Sequence, residues 1–285
     1  MHFKNGFKDQ NSERYMLATR VKKLIARLRA EYWYDASFHP GPFQKKEGLI
    51  PFEELDRADG APWVPFDGTK EKWGGENRNV WFRHRFTLPP EMAGRPVTYA
   101  AALTENGGWY WGAPQILAYV NGKPATGMDV NHRDILLTGC AKGGEEYTVD
   151  LCAFTDRFFY RGQVEMNMTV NAVNTAVQQL YYDLEVPFEV ADALPDGDTR
   201  RLDILRYLNH AVSLVDYRLP RGEAFNQTVQ AAIDYLQQEF YGKFCGHEDC
   251  TVTCVGHTHI DTAWLWTLEQ TRKKVARSFS TALSL

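Results

Sequence analysis

Two histidines and an aspartate stand at alternating positions in the stretch Thr251–Trp266. His257, His259 and Asp261 come shortly after a β-branched run, Thr251–Val255. Alternate side chains of an extended strand point to the same face, so all three would project together from the carboxyl end of this strand. Imidazole and carboxylate groups are ligands that suit a divalent metal such as zinc. The spacing therefore predicts metal-binding chemistry at the tip of a strand.

The reach of short side chains ranks the three candidate ligands. At a strand rise of about 3.3 Å per residue, the Cα atoms of His257 and Asp261 are roughly 13 Å apart, which strains their reach to one ion. Adjacent members of the set are roughly 6.6 Å apart and converge easily. His259 belongs to both adjacent pairs and is therefore the best-supported ligand. Histidines at a strand end can instead hydrogen-bond to nearby carbonyl groups, and this alternative remains open.

A helix is predicted directly after this tip. Asp261 or Thr262 can cap it. Its apolar positions fall close to helical spacing: Leu265, Leu268, Val275, Phe279 and Leu283. Four basic residues are interpreted as its solvated face: Arg272, Lys273, Lys274 and Arg277. Strand, polar tip and helix together form a βα unit with its chemistry at the carboxyl end of the strand, where α/β enzymes place their sites.

Two groups of aromatic residues could provide a surface for binding a sugar. Trp264 and Trp266 follow the tip, and Trp264, three residues after Asp261, is well placed to stack on a sugar ring, although either indole could also be a core residue. Trp109–Trp111 could form a second aromatic platform, but we favour a core or domain-contact role because a binding platform also needs polar partners.

The motif Gly256–Trp266, with Glu269, Arg272, Lys273 and the run Ala276–Ser278 behind it, closely resembles the opening catalytic motif of glycoside hydrolase family 38 α-mannosidases. Its Ile-Asp-Thr-Ala-Trp-Leu-Trp form is similar to that of the cytosolic branch. The resemblance implies a zinc-dependent retaining α-mannosidase that acts on mannose-containing oligosaccharides.

The resemblance also implies roles for individual residues. His259 and Asp261 match the zinc ligands of the family motif, with His257 less favoured, and Trp264 matches the aromatic residue that lines the mannose subsite. The nucleophilic aspartate, the general acid and the last histidine ligand are expected beyond Leu285. Because a retaining glycosidase needs two carboxyl groups about 5–5.5 Å apart, the chain alone is expected to be inactive.

Composition limits the other classes of function. The chain has 285 residues, 44% of them hydrophobic, with a formal net charge of -4, which argues against a general nucleic-acid binder. It carries no recognisable signal peptide and no long apolar run, so a cytoplasmic location without membrane contact is expected. Five cysteines without a secretory signal favour reduced thiols. Cys245–Cys250 matches no common zinc spacing and is interpreted as a loop.

Patterns along the chain predict a multidomain α+β protein. An amphipathic helix is predicted over Ser12–Tyr34, and alternating strands from Trp73 onward, closing with Leu180–Val190, predict an antiparallel, jelly-roll-like β-sandwich. Two helices, from Asp198 and from Glu223, follow as a linker pair. The predicted domains are an N-terminal helix (1–35), an extended connection (36–72), a β-sandwich (73–194), a helical linker (195–250) and the first βα unit of a β/α-barrel catalytic domain (251–285).

Two alternative functions remain open at this stage. Other metal-dependent hydrolases, such as amidohydrolase-like and phosphoesterase barrels, also place His-x-His at the end of their first strand, although their barrels usually begin near the N-terminus. A non-catalytic module that binds glycans or mediates assembly is the other alternative. The linkage preference, the native metal and any homo-oligomer are not determined by these patterns.

Overall fold

The structure is a computed structural model of the 285-residue chain. It describes residues 13–57, 60–105, 108–109, 114–129, 131–156, 162–195, 197–246, 251–264 and 266–284. The chain divides into two compact units. We call Met1–Asp35 with Val173–Val252 the helical unit, and Ala36–Ala172 with Thr253–Leu285 the β unit.

The secondary structure combines helices with antiparallel sheets. The helices are α1 (Glu13–Arg27), α2 (Thr175–Ala193), α3 (Thr199–Leu214), α4 (Glu223–Tyr235) and α5 (Leu268–Ser284), with π-helical turns at Leu28–Tyr32 and Leu236–Phe244. The strands are β1 (Tyr34–Phe38), β2 (Phe43–Glu47), β3 (Val64–Phe66), β4 (Lys72–Gly74), β5 (Asn79–Thr87), β6 (Val97–Glu105), β7 (Gly108–Trp109), β8 (Gln115–Val120), β9 (Lys123–Met128), β10 (Asp134–Thr138), β11 (Glu146–Phe154) and β12 (Gln163–Val173). The prediction of an α+β protein with antiparallel sheets is confirmed.

The helical unit is held together by apolar stripes on α1 to α4. Val21, Leu180, Leu208 and Val229 are each fully buried in one shared cluster. The cap predicted at Asp198 is confirmed, since its side chain accepts a hydrogen bond from the Arg200 amide over 2.9 Å at the start of α3. None of the helices in the described ranges combines the length and apolar character that a bilayer crossing requires.

The β unit contains two six-stranded sheets. One has the order β1-β12-β6-β10, with β4 also paired to β12 and β7 to β6, and the other has the order β3-β2-β5-β11-β8-β9. Buried side chains of both sheets, such as Phe82 of β5 and Leu103 of β6, belong to one hydrophobic core. The turn predicted at Asn121–Gly122 joins β8 to β9, and both residues have positive φ angles, 48° and 83°, as a tight hairpin requires.

Two element predictions for the region before α3 are wrong. Leu180–Val190, predicted as a closing strand, is part of α2, because Asn174 caps this helix and its apolar residues recur at helical spacing toward the core of the helical unit. Residues 36–72, predicted as an extended connection, contribute strands to both sheets. Phe43 and Phe66 from this segment are 2% exposed and fill the core of the β unit, which explains why the segment is ordered.

The strand predicted at Thr251–Val255 is not formed. A strand is stabilised by ladder hydrogen bonds to a neighbour, and none of the strands in the described ranges pairs with these residues. Val252 and Val255 are accordingly 76% and 83% exposed. The predictions for Tyr110, Trp111 and the segment 247–250 lie outside the described residues.

Candidate functional site

His259 and Asp261 lie side by side in the segment that precedes α5. The Nε2 atom of His259 is 3.0 Å from the Oδ1 atom of Asp261, and their side chains are 76% and 51% exposed. No helix or strand is assigned at these positions, and the contact between the two side chains places them on the same side of the chain. The structure therefore brings together the two residues that the sequence ranked first as metal ligands.

The donor set fits zinc in part. One imidazole nitrogen and one carboxylate oxygen at this separation can both face a single ion, whereas a catalytic zinc has three protein ligands. Within the described ranges, no group of three His, Cys, Asp or Glu side chains is arranged to hold a metal. His257 does not complete a triad with the pair. It lines a neighbouring groove of about 380 Å³ together with Asp129 and His132.

Thr271 in α5 holds the turn that carries the two tryptophans. Its Oγ1 atom accepts hydrogen bonds from the backbone N–H of Ala263 over 3.2 Å and from the indole N–H of Trp266 over 3.1 Å. Ala263 has a φ angle of 50°, a left-handed conformation uncommon outside glycine. The role of Thr271 could not be predicted from the sequence, because it depends on a turn that helical spacing does not reveal.

Trp264 and Trp266 present different surfaces. Trp264 is 62% exposed and meets Trp266 edge to face, with ring centroids 5.5 Å apart. The Lys274 ammonium lies 4.2 Å from the centroid of the Trp266 ring, a cation–π arrangement. Trp266 is thus engaged by the helix, while the exposed indole of Trp264 has the surface that stacking on a sugar ring would need.

Lys273, Lys274 and Arg277 are partly or fully buried and do not form the predicted solvated face of α5, whereas Arg272 is exposed as predicted. Lys273 donates to the Asn79 side chain over 2.6 Å, and Arg277, only 9% exposed, donates to the Gln115 side chain. Burial lowers the pKa of both Lys273 and Lys274. The apolar residues Phe279 and Leu283 are instead 53% and 89% exposed. The polar partners at the ends of β5 and β8 explain this orientation, because they satisfy the buried charges.

A glycine in β9 lets α5 approach the sheet closely. The backbone N–H of Gly127 donates to Thr281 Oγ1 over 3.1 Å. A Cβ atom at Gly127 would lie 3.0 Å from Thr281 Oγ1 and 3.3 Å from Arg277 Cβ. This contact anchors the helix that carries Thr271 and so supports the motif indirectly.

Residues 249–285, which include this site, match the family model described as Glycosyl hydrolases family 38 N-terminal domain. The segment that carries the site is therefore similar to family 38 glycoside hydrolase domains. Alpha-mannosidase 2C1 of Mus musculus is 38% identical over 109 residues, which are 38% of this chain and 10% of that protein. Alpha-mannosidase 2C1 of Homo sapiens is 26% identical over 261 residues, which are 83% of this chain and 22% of that protein.

These matches confirm the predicted resemblance to the N-terminal part of a family 38 α-mannosidase. The chain spans about a fifth or less of the length of these curated relatives, 22% and 10%. Among solved structures, Faecalibacterium prausnitzii Beta-glucuronidase matches 49% of this chain, and the matched part is 32% of the beta-glucuronidase chain. The identity is 11% and the TM-score is 0.32, a likeness too slight to bear on function.

Proposed function

We propose that this chain is the N-terminal part of a zinc-dependent retaining α-mannosidase and supplies two zinc ligands, His259 and Asp261. The observation that carries the proposal is the 3.0 Å pairing of these two side chains within the segment that matches family 38. The substrate class is α-mannosidic bonds in oligosaccharides. The remaining carboxylates and the third protein ligand for zinc belong to other segments of that protein.

Each residue of the motif has a defined part in this proposal. His259 Nε2 and an oxygen of Asp261 would hold the zinc, which, when bound, supplies a Lewis acid for the hydroxyl groups of the mannose ring. The exposed indole of Trp264 would stack on the apolar face of that ring. Thr271 keeps the turn in place through its hydrogen bond from Ala263. Preorganisation of this kind limits the ordering that substrate binding requires.

The proposal extends to the architecture. The two sheets with their shared core would form the β-sandwich that precedes the catalytic domain. Residues 251–285 would begin the β/α catalytic domain, in which Thr251–Val255 becomes a strand once neighbouring strands pair with it. The high exposure of Val252 and Val255 supports this step, because β-branched residues of a parallel strand are normally buried on both faces.

Zinc titration of the 285-residue chain tests the metal site directly. Calorimetry should detect one site that is weakened about tenfold or more by either His259→Ala or Asp261→Asn. His257→Ala is the matched control, since its ring lies on the neighbouring groove and its loss should leave zinc affinity within about twofold. Equal weakening by all three variants, or by none, would contradict the assignment.

Activity tests the proposal in the whole protein. The whole protein should stop hydrolysing a p-nitrophenyl α-mannoside when its zinc is chelated and should regain this activity when zinc is added back. The 285-residue chain alone should not hydrolyse the substrate. Amide and phosphodiester substrates distinguish the other metal hydrolases. Turnover of either substrate in place of the mannoside, or mannosidase activity that persists after complete zinc removal, would refute the proposed function.

A further inference from the structure

A groove in the helical unit runs between α1 and the carboxyl end of α3, and we call it the α1–α3 groove. Its volume is about 540 Å³, and pockets that bind small molecules commonly measure about 300–1,000 Å³. The groove is therefore large enough for a small ligand. Its lining residues include Tyr15, Met16, Arg20 and Lys23 of α1 and Ser213 and Tyr217 at or just after the end of α3.

Much of the wall of this groove is apolar. Met16 is 58% exposed, although methionine is among the residues most often buried. Leu24 and Tyr217, which line the same groove, are half-buried, and Val212 closes its floor. Covering such side chains removes apolar surface from water, which favours binding. The groove therefore suits a ligand with an apolar body.

Two exposed cations border the groove, and neither is paired with a carboxylate in the ranges that the structure describes. Arg20 Nη1 donates to the Ser213 hydroxyl over 3.1 Å, to the Asn209 carbonyl over 3.3 Å and to the Asn209 side chain, all of them neutral groups. These bonds leave the Nε and Nη2 donors of Arg20 for a ligand. No acidic side chain in the described ranges lines the groove beside Arg20 and Lys23. The lining thus carries positive charge that an anion could balance.

Arg20 and Lys23 share a face of α1 with Met16. Residues three or four apart are neighbours on a helix, and Arg20 lies four residues after Met16 and three before Lys23. At a rise of 1.5 Å per residue, Met16 and Lys23 are roughly 10 Å apart along the helix axis. A ligand that spans these residues needs an apolar part near Met16 and an anionic group near Arg20 and Lys23.

We propose that the α1–α3 groove binds a small amphipathic carboxylate, such as a medium-chain fatty acid. Its hydrocarbon tail covers Met16 and the adjacent apolar wall, and its carboxylate accepts hydrogen bonds from Lys23 Nζ and from the unused donors of Arg20. A neutral apolar ligand would leave the two cations without an anionic partner. An ammonium amphiphile would be repelled by them.

A titration of the 285-residue chain with sodium octanoate, followed by ¹⁵N–¹H NMR, tests this proposal. Octanoate below its micelle concentration should shift the backbone amides of Thr19, Lys23 and Ser213 with saturable binding. Octylammonium chloride carries the same tail with the opposite charge, and sodium acetate carries the charge without the tail. Each of these two probes should bind about tenfold more weakly than octanoate, or less.

Three variants separate the roles of charge and tail. Lys23→Gln should weaken octanoate binding about fivefold, because it removes one partner of the carboxylate. Lys22→Gln is the matched control, since this neighbouring exposed lysine is outside the groove, and its binding should stay within about twofold of the wild type. Met16→Gln should weaken binding about fivefold through the lost apolar contact. All three side chains are exposed, so each variant should melt at the temperature of the wild type.

Absence of saturable shifts at the groove with octanoate would overturn the proposal. So would equal binding of acetate or octylammonium, or equal weakening by Lys22→Gln and Lys23→Gln. Shifts of the same amides when the chain is concentrated without ligand would assign the groove to a second copy instead. Tighter binding of an acidic amphipathic helical peptide than of octanoate would assign it to a protein partner. His259→Ala should leave the octanoate titration unchanged, which separates this inference from the proposed function.

Discussion

The indole N–H of Trp266 donates to the hydroxyl of Thr271 over 3.1 Å, and the same oxygen accepts the backbone N–H of Ala263. One side chain of α5 thus fixes both ends of the turn that carries Trp264. The candidate ligands His259 and Asp261 come immediately before this turn, so their arrangement depends on a helical residue that contacts neither of them.

Thr271→Val should release this turn. The change keeps the shape of the side chain and removes the acceptor of two hydrogen bonds, so we expect a loss of about 1–2 kcal/mol locally. Hydrogen exchange of the Ala263 amide should become about tenfold faster, and zinc affinity should fall. Thr271→Ser retains the hydroxyl and is the control. If Thr271→Ser exchanges as fast as Thr271→Val, the hydroxyl does not hold the turn.

A buried ion pair in the β unit gives a second prediction. Arg83 Nε donates to Asp150, their side chains being 7% and 3% exposed, and Arg83 Nη1 is 2.7 Å from the carboxylate of Asp56, which is 64% exposed. Asp150→Asn should cost about 3–5 kcal/mol in urea unfolding, because it leaves the buried guanidinium short of its charge partner. Asp56→Asn should cost about 0–1 kcal/mol, because the carboxylate of Asp56 is exposed to solvent. Similar costs for the two variants would contradict this reasoning.

Local spacing favoured His259 as a ligand, and the resemblance to family 38 selected Asp261 as its partner; the structure places these two side chains 3.0 Å apart. His259 and Asp261 are two residues apart, and any extended backbone brings such side chains to one side. The helix after them was also predictable from its apolar period, although α5 begins only at Leu268. The segment that matches the family 38 model, residues 249–285, contains this pair.

Long-range packing decided the features that the sequence could not reveal. Arg277 was predicted to be solvated, but its partner Gln115 lies 162 residues earlier in the chain. Leu180–Val190 has the branched and aromatic residues of a strand, and its packing against α3 and α4 made it helical. Propensity is overridden wherever tertiary contacts are this extensive.

His84 makes the stability of the chain depend on pH. Burial lowers its pKa from 6.5 to about 3, so folded His84 stays neutral where the unfolded chain takes up a proton. The contribution of neutral His84 to the free energy of unfolding is complete above pH 6.5. It is lost at about 1.4 kcal/mol per pH unit as the pH falls toward 3, because the unfolded chain then binds a proton that the folded chain does not. The free energy of unfolding, measured with urea between pH 7 and 4.5, should fall less steeply with decreasing pH in His84→Gln than in the wild type. The Gln amide is chosen because it can still bond Tyr99 and Gly41.

The comparison of slopes isolates this residue, since other titrating groups contribute equally to both proteins. Between pH 7 and 8 the plots of unfolding free energy against pH for the wild type and His84→Gln should be parallel, which serves as the internal control. Parallel curves over the whole range down to pH 4.5 would show that His84 is protonated in the folded chain.

The close approach of α5 to β9 can be tested with a single methyl group. Gly127→Ala would place a Cβ atom 3.0 Å from Thr281 Oγ1 and 3.3 Å from Arg277 Cβ, so the helix must shift. We expect a loss of about 1–3 kcal/mol and faster cleavage within residues 268–284 by limited proteolysis. Gly139→Ala, where no heavy atom lies within 4 Å of the added Cβ, is the matched control. If both variants resist cleavage equally, α5 does not depend on this contact, and Thr271 must hold the motif turn without it.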